Sequence, residues 1–412
     1  GREHALAWKT AQSEKVTQVF VAPGNQGLGY EKKIILVDIQ VHCLQSLLSF
    51  AKKNRIDLTI VGSELPLSLG IVDLFTRMGL ACLGPTQYCA QLESSKFFSK
   101  QFMFQNKIPT AFYKQFTVFR EAEKHLHNMI FPKVIKVNGL AGGKGVYIVY
   151  NSCEYLFIIT KLLGARGLTK QCTDSIIIED FLIGEEASFI VLCDGTNILP
   201  MASSKDHKTI FEFNKGYNTG GMGAYSPSHK VTNAVSMHVV EDVIKPVLEG
   251  MRKRGHIYKG FLYAGLMITP LNYIRVLEFN CRFGDPETQP ILLRLKSNFV
   301  ELCLSAIQET LCKYTINWSP YVALGIVMVA KGYPIKFRNG DKLNYFKSKP
   351  GIKVFYSGVS KNHGVLCVNG GRILCITVLG ATLVEARQRA YSYVRSISWG
   401  SGYYYRKDIG LL

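Results

Sequence analysis

The chain contains 412 residues, of which 47% are hydrophobic, and carries a formal net charge of +19. This length exceeds what one hydrophobic core accommodates, so we expect a globular protein of roughly two to four domains. The longest apolar run, residues 322–330, is far shorter than the roughly twenty residues of a membrane helix, and we expect no membrane partner.

The positive charge does not by itself predict a nucleic-acid-binding protein. Its lysines and arginines are dispersed, and no helix-turn-helix, zinc-finger or aromatic RNA-binding motif accompanies them. A basic surface also suits phosphorylated substrates. We therefore expect no nucleic-acid partner.

Cysteine usage and the N-terminal residues predict a cytoplasmic protein. The eleven cysteines form no Cys-x-x-Cys pair and are odd in number, which favours reduced thiols over a disulfide framework or a zinc site. The first residues also lack the charged-then-apolar profile of a signal peptide.

Residues 1–91 alternate strand and helix signals, which is typical of a parallel sheet with crossover helices. The predicted strands are 19–22, 58–61 and 81–83, and the predicted helices are 3–9, 44–53 and 73–78. Such sheets bind ligands beyond the carboxyl ends of their strands. This places Gly1, Arg2 and Glu64 on one rim, where backbone N–H groups and a guanidinium would hold a phosphate. Ordinary connecting loops are the alternative.

A glycine-rich hairpin is predicted next. Residues 131–137 form a strand with Lys136 near its end, the loop 138–145 carries Gly142, Gly143 and Lys144, and residues 146–149 form a second strand. The loop is not a P-loop, because a glycine follows Lys144 and a strand stands where the helix should be. Backbone N–H groups flanked by two lysines favour a lid over phosphates, and a mobile turn is the alternative.

Two further segments predict nucleotide or anion contacts. Residues 176–182 form a buried strand, after which backbone groups can read an adenine edge and Glu186 can bind ribose hydroxyls. Residues 218–223 form a second glycine-rich loop, whose backbone donors suit an anion nest around Gly221. Each segment alone is also compatible with an ordinary strand or turn.

The segment 276–287 has the highest density of charged and turn residues after an apolar run. Glu278 and Asn280 lie two apart on a predicted strand and project from the same face, and Arg282 joins them if the strand continues. A carboxylate and an amide oxygen suit Mg²⁺, which usually takes one or two protein ligands and completes its shell with water and phosphates. A solvated glutamate at a strand edge is the alternative.

The order of these motifs resembles that of ATP-grasp ligases, which clamp ATP between two α+β lobes. Over nearly the whole chain, the closer resemblance is to the phosphoribosylamine–glycine ligase family. It rests on Gly-Arg-Glu-His-Ala-Leu-Ala-Trp (1–8), Val-Ala-Pro-Gly-Asn (21–25), Gly-Leu-Ala-Gly-Gly-Lys-Gly-Val (139–146), Gly-Glu-Glu-Ala-Ser (184–188), Asn-Thr-Gly-Gly-Met-Gly-Ala-Tyr-Ser-Pro (218–227), Gly-Phe-Leu-Tyr-Ala-Gly-Leu-Met (260–267) and Glu-Phe-Asn-Cys-Arg-Phe-Gly-Asp-Pro-Glu-Thr-Gln-Pro (278–290).

The resemblance implies a multidomain α/β and α+β protein with the ATP-grasp fold. We expect an N-terminal Rossmann-like parallel-sheet domain at 1–91, whose first strand is expected to be missing. An ATP-grasp domain at 92–312 follows, with a lid at about 113–185, and a small α+β domain occupies 313–412. Predicted strands at 325–329 and 371–378 and a predicted helix at 382–394 agree with the last domain, where we identify no catalytic constellation.

The resemblance also implies an activity. ATP, glycine and 5-phosphoribosylamine would give glycinamide ribonucleotide, ADP and phosphate through a glycyl phosphate, as a step of de novo purine biosynthesis. The implied cofactors are ATP and Mg²⁺ or Mn²⁺, the implied partners are the two substrates, and we expect a monomer.

Individual residues receive roles from the same resemblance. The implied metal ligands are Glu278 and Asn280. The implied catalytic residues are Arg282, Asp206 and Lys144. The implied ATP-binding residues are Lys96, Lys136, Gly142, Gly143, Lys144, Glu179, Phe181, Leu182 and Glu186. The implied substrate-binding residues are Gly1, Arg2, Glu64, Asn218, Thr219, Gly220, Gly221, Met222 and Arg282.

The chain departs from the family pattern in places. Asn138 stands where the family has aspartate, Ser63 stands where it has proline, and the segment 211–217 lacks the usual aspartates. Two other functions therefore stay open: another ATP-grasp carboxylate–amine ligase, or a truncated, inactive homologue.

Overall fold

The structure is a computed structural model that describes residues 1–140, 142, 145–164, 175–400 and 402–411. Within these residues, the helices are α1 (Arg2–Ala11), α2 (Leu44–Lys53), α3 (Glu64–Ser68), α4 (Ile71–Arg77), α5 (Gln91–Ser94), α6 (Lys96–Gln105), α7 (Phe119–His125), α8 (Ser152–Leu163), α9 (Asn233–Val239), α10 (Lys245–Lys253), α11 (Thr288–Arg294), α12 (Phe299–Ile307) and α13 (Leu383–Arg395). None of them combines the length and the hydropathy that a membrane crossing requires.

The strands of the same segments run from β1 to β22. They are β1 (Val19–Val21), β2 (Ile34–Leu36), β3 (Thr59–Ile60), β4 (Cys82–Leu83), β5 (Tyr113–Phe116), β6 (Lys133–Val137), β7 (Val146–Val149), β8 (Ile176–Asp180), β9 (Glu185–Asp194), β10 (Ile198–Pro200), β11 (Lys205–Asp206), β12 (Thr209–Phe211), β13 (Lys215–Asn218), β14 (Gly223–Ser226), β15 (Lys259–Ile268), β16 (Ile274–Asn280), β17 (Val322–Ala330), β18 (Ile352–Tyr356), β19 (Val359–Asn362), β20 (Val365–Val368), β21 (Arg372–Gly380) and β22 (Tyr403–Tyr404).

The N-terminal region has the predicted parallel pairing. Strand β1 pairs in parallel with β2, and β3 pairs in parallel with β4. Helix α2 lies between β2 and β3 in the chain, and helices α3 and α4 lie between β3 and β4, as crossover connections require. Strand β2 was not predicted from the sequence, because it is only three residues long and lies between a turn-rich segment and a loop.

A lobe with its own core spans β5 to β8. Its antiparallel sheet has the order β5-β8-β6-β7, so the predicted glycine-rich hairpin is the β6–β7 connection. Helices α7 and α8 cover it through a cluster centred on Tyr155, Ile159 and Ile135, each fully buried. The lobe therefore carries β6 and β8, with their predicted ATP-binding residues, as a unit.

The central sheet has the order β10-β9-β15-β16 and is antiparallel. Alternate residues of β9 enter different cores, with Phe189 on one side and Ile190 on the other. A strand buried on both faces reads as a continuous apolar run, which is what β9 and β15 show. This sheet fixes β16 and its polar face.

The C-terminal sheet has the order β11-β14-β17-β21-β18, with β22 beside β17. Strands β11 and β14 come from residues 205–226, so the middle of the chain contributes to the C-terminal core. Helix α13 packs on this sheet and is capped at its N-terminus by Thr382, whose hydroxyl accepts a hydrogen bond from the Glu385 amide at 3.2 Å. The glycine-rich loop 218–223 is therefore held at the junction of the central and C-terminal sheets.

Candidate active site

Strand β16 presents two oxygen-bearing side chains on one face. Phe279 is 2% exposed and packs into the core, so its neighbours Glu278 and Asn280 project from the opposite face. Across the ladder, Glu278 lies opposite Gly265 and Asn280 lies opposite Tyr263. The predicted pairing of the two side chains on one strand face is thus the observed arrangement.

Lysines surround the Glu278 carboxylate. The nearest salt-bridge partner, Lys208 Nζ, is 3.9 Å from Glu278 Oε1. Burial by itself would raise the pKa of Glu278, but Lys208, Lys136 and Lys96 hold it below its ordinary value. The carboxylate is therefore ionised at neutral pH, in a strongly positive environment that also suits phosphates.

The residues of this face fit a hard divalent cation that is shared with phosphate. The described residues contain no group of three or more His, Cys, Asp or Glu that would hold a metal by themselves. One carboxylate with one amide oxygen is nevertheless a donor set that suits Mg²⁺, because phosphate oxygens and water complete its coordination. Glu278 and Asn280 therefore fit a metal that arrives with its nucleotide.

A buried ion-pair triad lies at the base of the lobe. Glu179 Oε2 is 3.0 Å from Lys136 Nζ and 3.1 Å from Lys100 Nζ. Lys136 also donates to the Leu277 carbonyl at 3.0 Å, which ties β6 to β16. Burial lowers the pKa of Lys100 to about 8, although Glu179 opposes the shift. The triad fixes Lys136 beside the metal-binding face.

One oxygen of Glu179 has no hydrogen-bond partner among the residues that the structure describes. The Glu179 side chain is 3% exposed, and its Oε1 atom is buried without a described donor. A buried acceptor of this kind is costly unless a ligand satisfies it. The amino group of an adenine is a suitable donor, so this atom fits the predicted adenine edge.

The other predicted ATP-binding residues lie at the start of α6, on the glycine-rich hairpin and just after β8. Lys96 donates to the Gly139 carbonyl at 2.9 Å, and Gly142 adopts a left-handed backbone with φ of 57°. Phe181 and Leu182 follow β8 and are half-buried. Gly143 and Lys144 lie outside the described residues.

The departure at Asn138 leaves one contact of the site intact. Asn138 Oδ1 accepts a hydrogen bond from the Phe97 amide at 3.3 Å, at the start of α6. An aspartate oxygen would accept the same hydrogen bond. The substitution therefore preserves the link between the glycine-rich hairpin and the helix that carries Lys96.

Glu186 and Asp206 face each other across Lys208. Lys208 Nζ is 3.1 Å from Glu186 Oε2, and Asp206 Oδ1 accepts a hydrogen bond from the His207 amide at 2.7 Å. Burial and the neighbouring Glu287 raise the pKa of Asp206 well above its ordinary value. A carboxyl group in this environment is suited to a cationic ligand, which would favour its ionised form.

His207 gives a test of stability against pH. Burial lowers its pKa from 6.5 to about 4, with Arg406 adding to the shift. Between these values the unfolded chain takes up a proton that the folded protein does not, so stability falls as pH falls from about 6.5 to 4, by about 3 kcal/mol. In denaturant titrations, His207→Asn should flatten this slope, and a matched change at exposed His238 should not. Equal slopes for wild type and His207→Asn would contradict the assignment.

The glycine-rich loop 218–221 is held from both sides. Thr219 Oγ1 donates to the Lys208 carbonyl at 2.7 Å and accepts from the Gly221 amide at 3.0 Å. On the C-terminal side, the Arg372 guanidinium donates to the Gly220 carbonyl. Gly221 has φ of 106° and packs against Asp206 and Pro286, where a Cβ atom would collide. Only glycine fits there.

Asn218, at the start of this loop, and Met222, just after it, were both predicted to bind substrate but lie in different surroundings. Asn218 closes the β12–β13 hairpin opposite Thr209. Met222 is fully buried in the core, and its amide donates to the His207 carbonyl at 2.8 Å while its carbonyl accepts from Val327 at 3.0 Å. Since its side chain and both backbone groups are engaged, the structure does not present Met222 to the cleft.

Arg282 lies between two carboxylates at the end of β16. Its Nη2 atom is 2.6 Å from Glu93 Oε1, and its Nε atom is 3.3 Å from Glu64 Oε2. Burial would lower the pKa of Arg282, but Glu93 and Glu64 hold it above its ordinary value. The guanidinium is therefore permanently charged and oriented by β16, α3 and α5.

The N-terminal rim adjoins this arginine. Arg2 is buried and donates to the Phe283 carbonyl at 3.1 Å, and it lies 3.5 Å from Glu64. Gly1 caps α1, and Asp285, paired with Arg372 at 3.0 Å, lies beside it. The structure thus brings Gly1, Arg2 and Glu64 together. The guanidinium of Arg2, however, already binds groups of the protein.

Several residues of the site were not predicted from the sequence. Lys100 had a detectable signal, because it lies four positions after Lys96 and shares a helix face with it. Glu93 and Lys208 each lie near a recognised motif, but no sequence pattern around either residue indicates that it belongs to the site. Arg372 comes from the C-terminal domain, and no local signal connects it with Gly220.

A lobe of antiparallel strands and two helices adjoins the central sheet, and Lys96, Lys136 and Lys208 surround Glu278 on the polar face of β16. This architecture is the ATP-grasp fold. Family models support a narrower assignment. The models of the phosphoribosylglycinamide synthetase N domain, ATP-grasp (A) domain and C domain match residues 1–93, 94–288 and 323–412. The chain belongs to the phosphoribosylglycinamide synthetase family.

Individual relatives agree with this assignment. The phosphoribosylamine–glycine ligases of Haemophilus influenzae and Escherichia coli are each 48% identical to the chain, over 100% of its length and 96% of theirs. The crystal structure of phosphoribosylamine–glycine ligase from Thermotoga maritima is 28% identical, with a TM-score of 0.84, and the match covers 99% of this chain and 97% of that one. These findings confirm the predicted fold class and the predicted resemblance.

A more distant likeness concerns the fold alone. The biotin carboxylase domain of the Hydrogenobacter thermophilus 2-oxoglutarate carboxylase superposes with a TM-score of 0.74 at 15% identity, covering 97% of this chain and 88% of that one. The use of ATP and a divalent metal by this chain follows from its match to the ATP-grasp (A) domain of the family.

Proposed function

We propose that the chain joins glycine to 5-phosphoribosylamine at the expense of ATP, giving glycinamide ribonucleotide, ADP and phosphate in purine biosynthesis. The single observation that carries the proposal is the convergence of Lys96, Lys136, Glu278 and Arg282 on one cleft of a chain that belongs to the phosphoribosylglycinamide synthetase family. We further propose Mg²⁺ or Mn²⁺ as the metal, held by Glu278 and Asn280.

The cleft residues divide the work of carboxylate activation. Lys96 and Lys136, with the predicted lid lysine Lys144, would hold the ATP phosphates and neutralise charge as the phosphoryl group leaves ADP. A bound divalent cation would supply further neutralisation of the β- and γ-phosphates. Glu186 would bind the ribose, and Glu179 to Leu182 would bind the adenine edge.

The acceptor side of the cleft holds the two other substrates. Arg282 and Asp206 would orient glycine so that its carboxylate oxygen attacks the γ-phosphate in line. The resulting glycyl phosphate is then attacked at its carbonyl carbon by the amine of phosphoribosylamine, and phosphate leaves. Closure of the lobe over the cleft would exclude water, which otherwise hydrolyses the acyl phosphate.

The phosphoribosyl group would lie between the N-terminal rim and the glycine-rich loop. Gly1, Arg2 and Glu64 form one side, and Asn218, Thr219, Gly220 and Gly221 form the other. The positive rim suits a sugar phosphate, whereas the amides of Thr219, Gly220 and Gly221 already donate to protein acceptors and are not available to it. The adjoining segment 211–217 is where the chain departs from the family pattern.

Two simpler properties complete the proposal. The described cysteines are all free thiols, in accord with a reducing, cytoplasmic compartment. We propose a monomer that needs no nucleic acid and no membrane for activity.

ADP release tests the proposed reaction. With ATP and Mg²⁺ present, we expect release only when glycine and 5-phosphoribosylamine are both supplied, and omission of either should reduce it to background. Stimulation by a different carboxylate in place of glycine would favour another ATP-grasp ligase. ATP binding without any release would favour an inactive homologue.

A further inference from the structure

The C-terminal segment crosses the hairpin β12–β13. Arg406 is 1% exposed, and its guanidinium binds Asp408 through two hydrogen bonds of 2.8 and 2.6 Å. Its Nη1 atom donates to the carbonyl and the hydroxyl of Thr209, at 3.1 and 2.9 Å. An arginine fork of this kind fixes direction as well as distance, so the first strand of the hairpin is tied to the end of the chain.

The tip of the hairpin has an unfavourable backbone. Phe213 and Asn214 are consecutive and both have φ of 57°, a left-handed conformation that is uncommon for residues other than glycine. Such conformations persist only where the surroundings enforce them, and they cluster at functional sites. The Phe213 amide donates to Asp408 Oδ2 at 2.9 Å, which provides one such restraint.

Glu212 supplies a second restraint at the same tip. Its Oε2 atom accepts from the Tyr404 hydroxyl at 2.9 Å, and its Oε1 atom accepts from the Lys407 amide at 3.1 Å. Partial burial would raise the pKa of Glu212, but a hydrogen bond from its own backbone, together with those from Tyr404 and Lys407, holds it below its ordinary value. The carboxylate is therefore ionised and clamped between the hairpin and the C-terminal segment.

These contacts are additional to those that attach the C-terminal segment to its own domain. The Tyr391 hydroxyl donates to the Arg406 carbonyl at 2.7 Å and accepts from the Ile409 amide at 3.1 Å, and the Arg387 guanidinium donates to the Lys407 carbonyl at 2.7 Å. Helix α13 therefore holds the segment independently. The side chains of Arg406 and Asp408 reach beyond it to the hairpin.

The hairpin leads directly into the proposed substrate loop. Thr209 pairs with Asn218 across the two strands, so a restraint on Thr209 also places Asn218. The next residue, Thr219, is bound to the Lys208 carbonyl at 2.7 Å, one position before Thr209. A shift of the hairpin would thus move both ends of the loop 218–221.

We propose that Arg406, Asp408 and Glu212 are positioning residues that set the conformation of the loop 218–221 for glycine and 5-phosphoribosylamine. This proposal rests on the proposed function. None of the three residues touches substrate. They act through the strained hairpin, and they explain how a segment that lacks the family's aspartates still holds its shape, because Glu212 supplies a carboxylate from within the altered segment.

Steady-state kinetics on the full chain test the proposal. Glu212→Ala removes a partly exposed side chain, and Asp408→Asn removes the charge that Arg406 and the Phe213 amide share. Losing a hydrogen bond to a charged group weakens an interaction by about tenfold or more in its equilibrium constant. We expect the KM of glycine or of 5-phosphoribosylamine to rise about tenfold in each variant, and the KM of ATP to stay within about twofold. Glu212→Gln retains one acceptor oxygen but places an NH2 group against the other donor, so it should recover only part of the loss.

Arg389→Ala serves as the matched control. Arg389 lies on α13 and donates to the Leu379 and Pro350 carbonyls, away from the hairpin, so this variant reports general weakening of the C-terminal domain. Unchanged substrate KM values in both Glu212→Ala and Asp408→Asn would overturn the proposal. So would a parallel rise in the KM of ATP, since the effect would then not be confined to the loop.

Hydrogen exchange separates this proposal from the proposed reaction. Amides 215–221 should exchange faster in Glu212→Ala than in wild type or Arg389→Ala, whatever substrate the protein uses. Equal exchange in all three proteins would overturn the positioning role even if the wild type makes glycinamide ribonucleotide. Faster exchange in a protein that does not use glycine would instead support the positioning role and reject the reaction.

Discussion

Glu278→Ala is expected to abolish metal-dependent turnover while leaving the protein folded. Glu278 is the carboxylate of the β16 face, and Asn280 alone would supply one neutral oxygen to the cation. Losing a charged metal ligand costs several kcal/mol of transition-state stabilisation, or roughly 10³-fold in rate. The fold should survive, because Lys208 keeps Glu186 at 3.1 Å as its partner.

The measurement is kcat as a function of metal concentration, with thermal unfolding as the check on folding. Glu241→Ala is a suitable control, because Glu241 lies far along the chain from β16 and pairs on the surface with Lys245. Glu278→Gln should retain some activity at raised metal concentration. Wild-type turnover of Glu278→Ala with an unchanged metal requirement would reject the assignment.

Arg282→Lys is expected to reduce kcat about 10³-fold, the size of effect seen when a group that stabilises transition-state charge is lost. A lysine keeps one positive charge near Glu93 and Glu64 but cannot present two donors in a plane to a carboxylate or a phosphoryl group. Replacement by lysine thus avoids leaving Glu93 buried without a cation. The loss should therefore appear in catalysis more than in stability.

A second buried arginine provides the control for this change. Arg294 is bound to the Tyr321 carbonyl at 2.8 Å and to the Ser226 hydroxyl at 2.9 Å, with no acidic partner in the cleft. Arg294→Lys should lower the unfolding temperature and leave kcat within about threefold, as expected for a packing position. If Arg282→Lys behaves in the same way, Arg282 has no direct part in the reaction.

The polar face of β16 could be predicted from the sequence because its signal is local. Glu278 and Asn280 flank the buried Phe279, so strand alternation fixes that these two side chains share a face, whatever the rest of the fold does. The same reasoning gave helix α2 and strand β7 at their observed bounds. It also placed Lys136 near the end of a strand beside the glycine-rich hairpin.

The parts of the site that the sequence did not predict depend on contacts between distant segments of the chain. Arg372 reaches Gly220 and Asp285 across 152 and 87 positions of the chain, and Arg406 reaches Thr209 across 197. Pairing between β14 and β17 creates both contacts by inserting the middle of the chain into the C-terminal sheet. No periodicity within either segment encodes that pairing, so we found no constellation in the C-terminal domain.

Met222 and Arg2 illustrate a different difficulty: both belong to motifs that predicted ligand contacts, but in the structure their groups bind other parts of the protein. Met222 lies inside a glycine-rich motif, yet its side chain fills the core and both backbone groups are bonded. Arg2 lies on the predicted rim, yet it binds the Phe283 carbonyl at 3.1 Å. A motif specifies which residues stay together, and burial decides which of them can meet a ligand.

The fate of one oxygen atom tests the central claim, that this cleft activates the carboxylate of glycine by phosphorylation. Glycine labelled with ¹⁸O in its carboxylate is incubated with the enzyme, ATP, Mg²⁺ and 5-phosphoribosylamine, and the inorganic phosphate is analysed by mass spectrometry. Because the bridging oxygen of glycyl phosphate leaves with phosphate when the amine attacks carbon, we predict one ¹⁸O atom in each phosphate released. Formation of glycinamide ribonucleotide with unlabelled phosphate would contradict the claim.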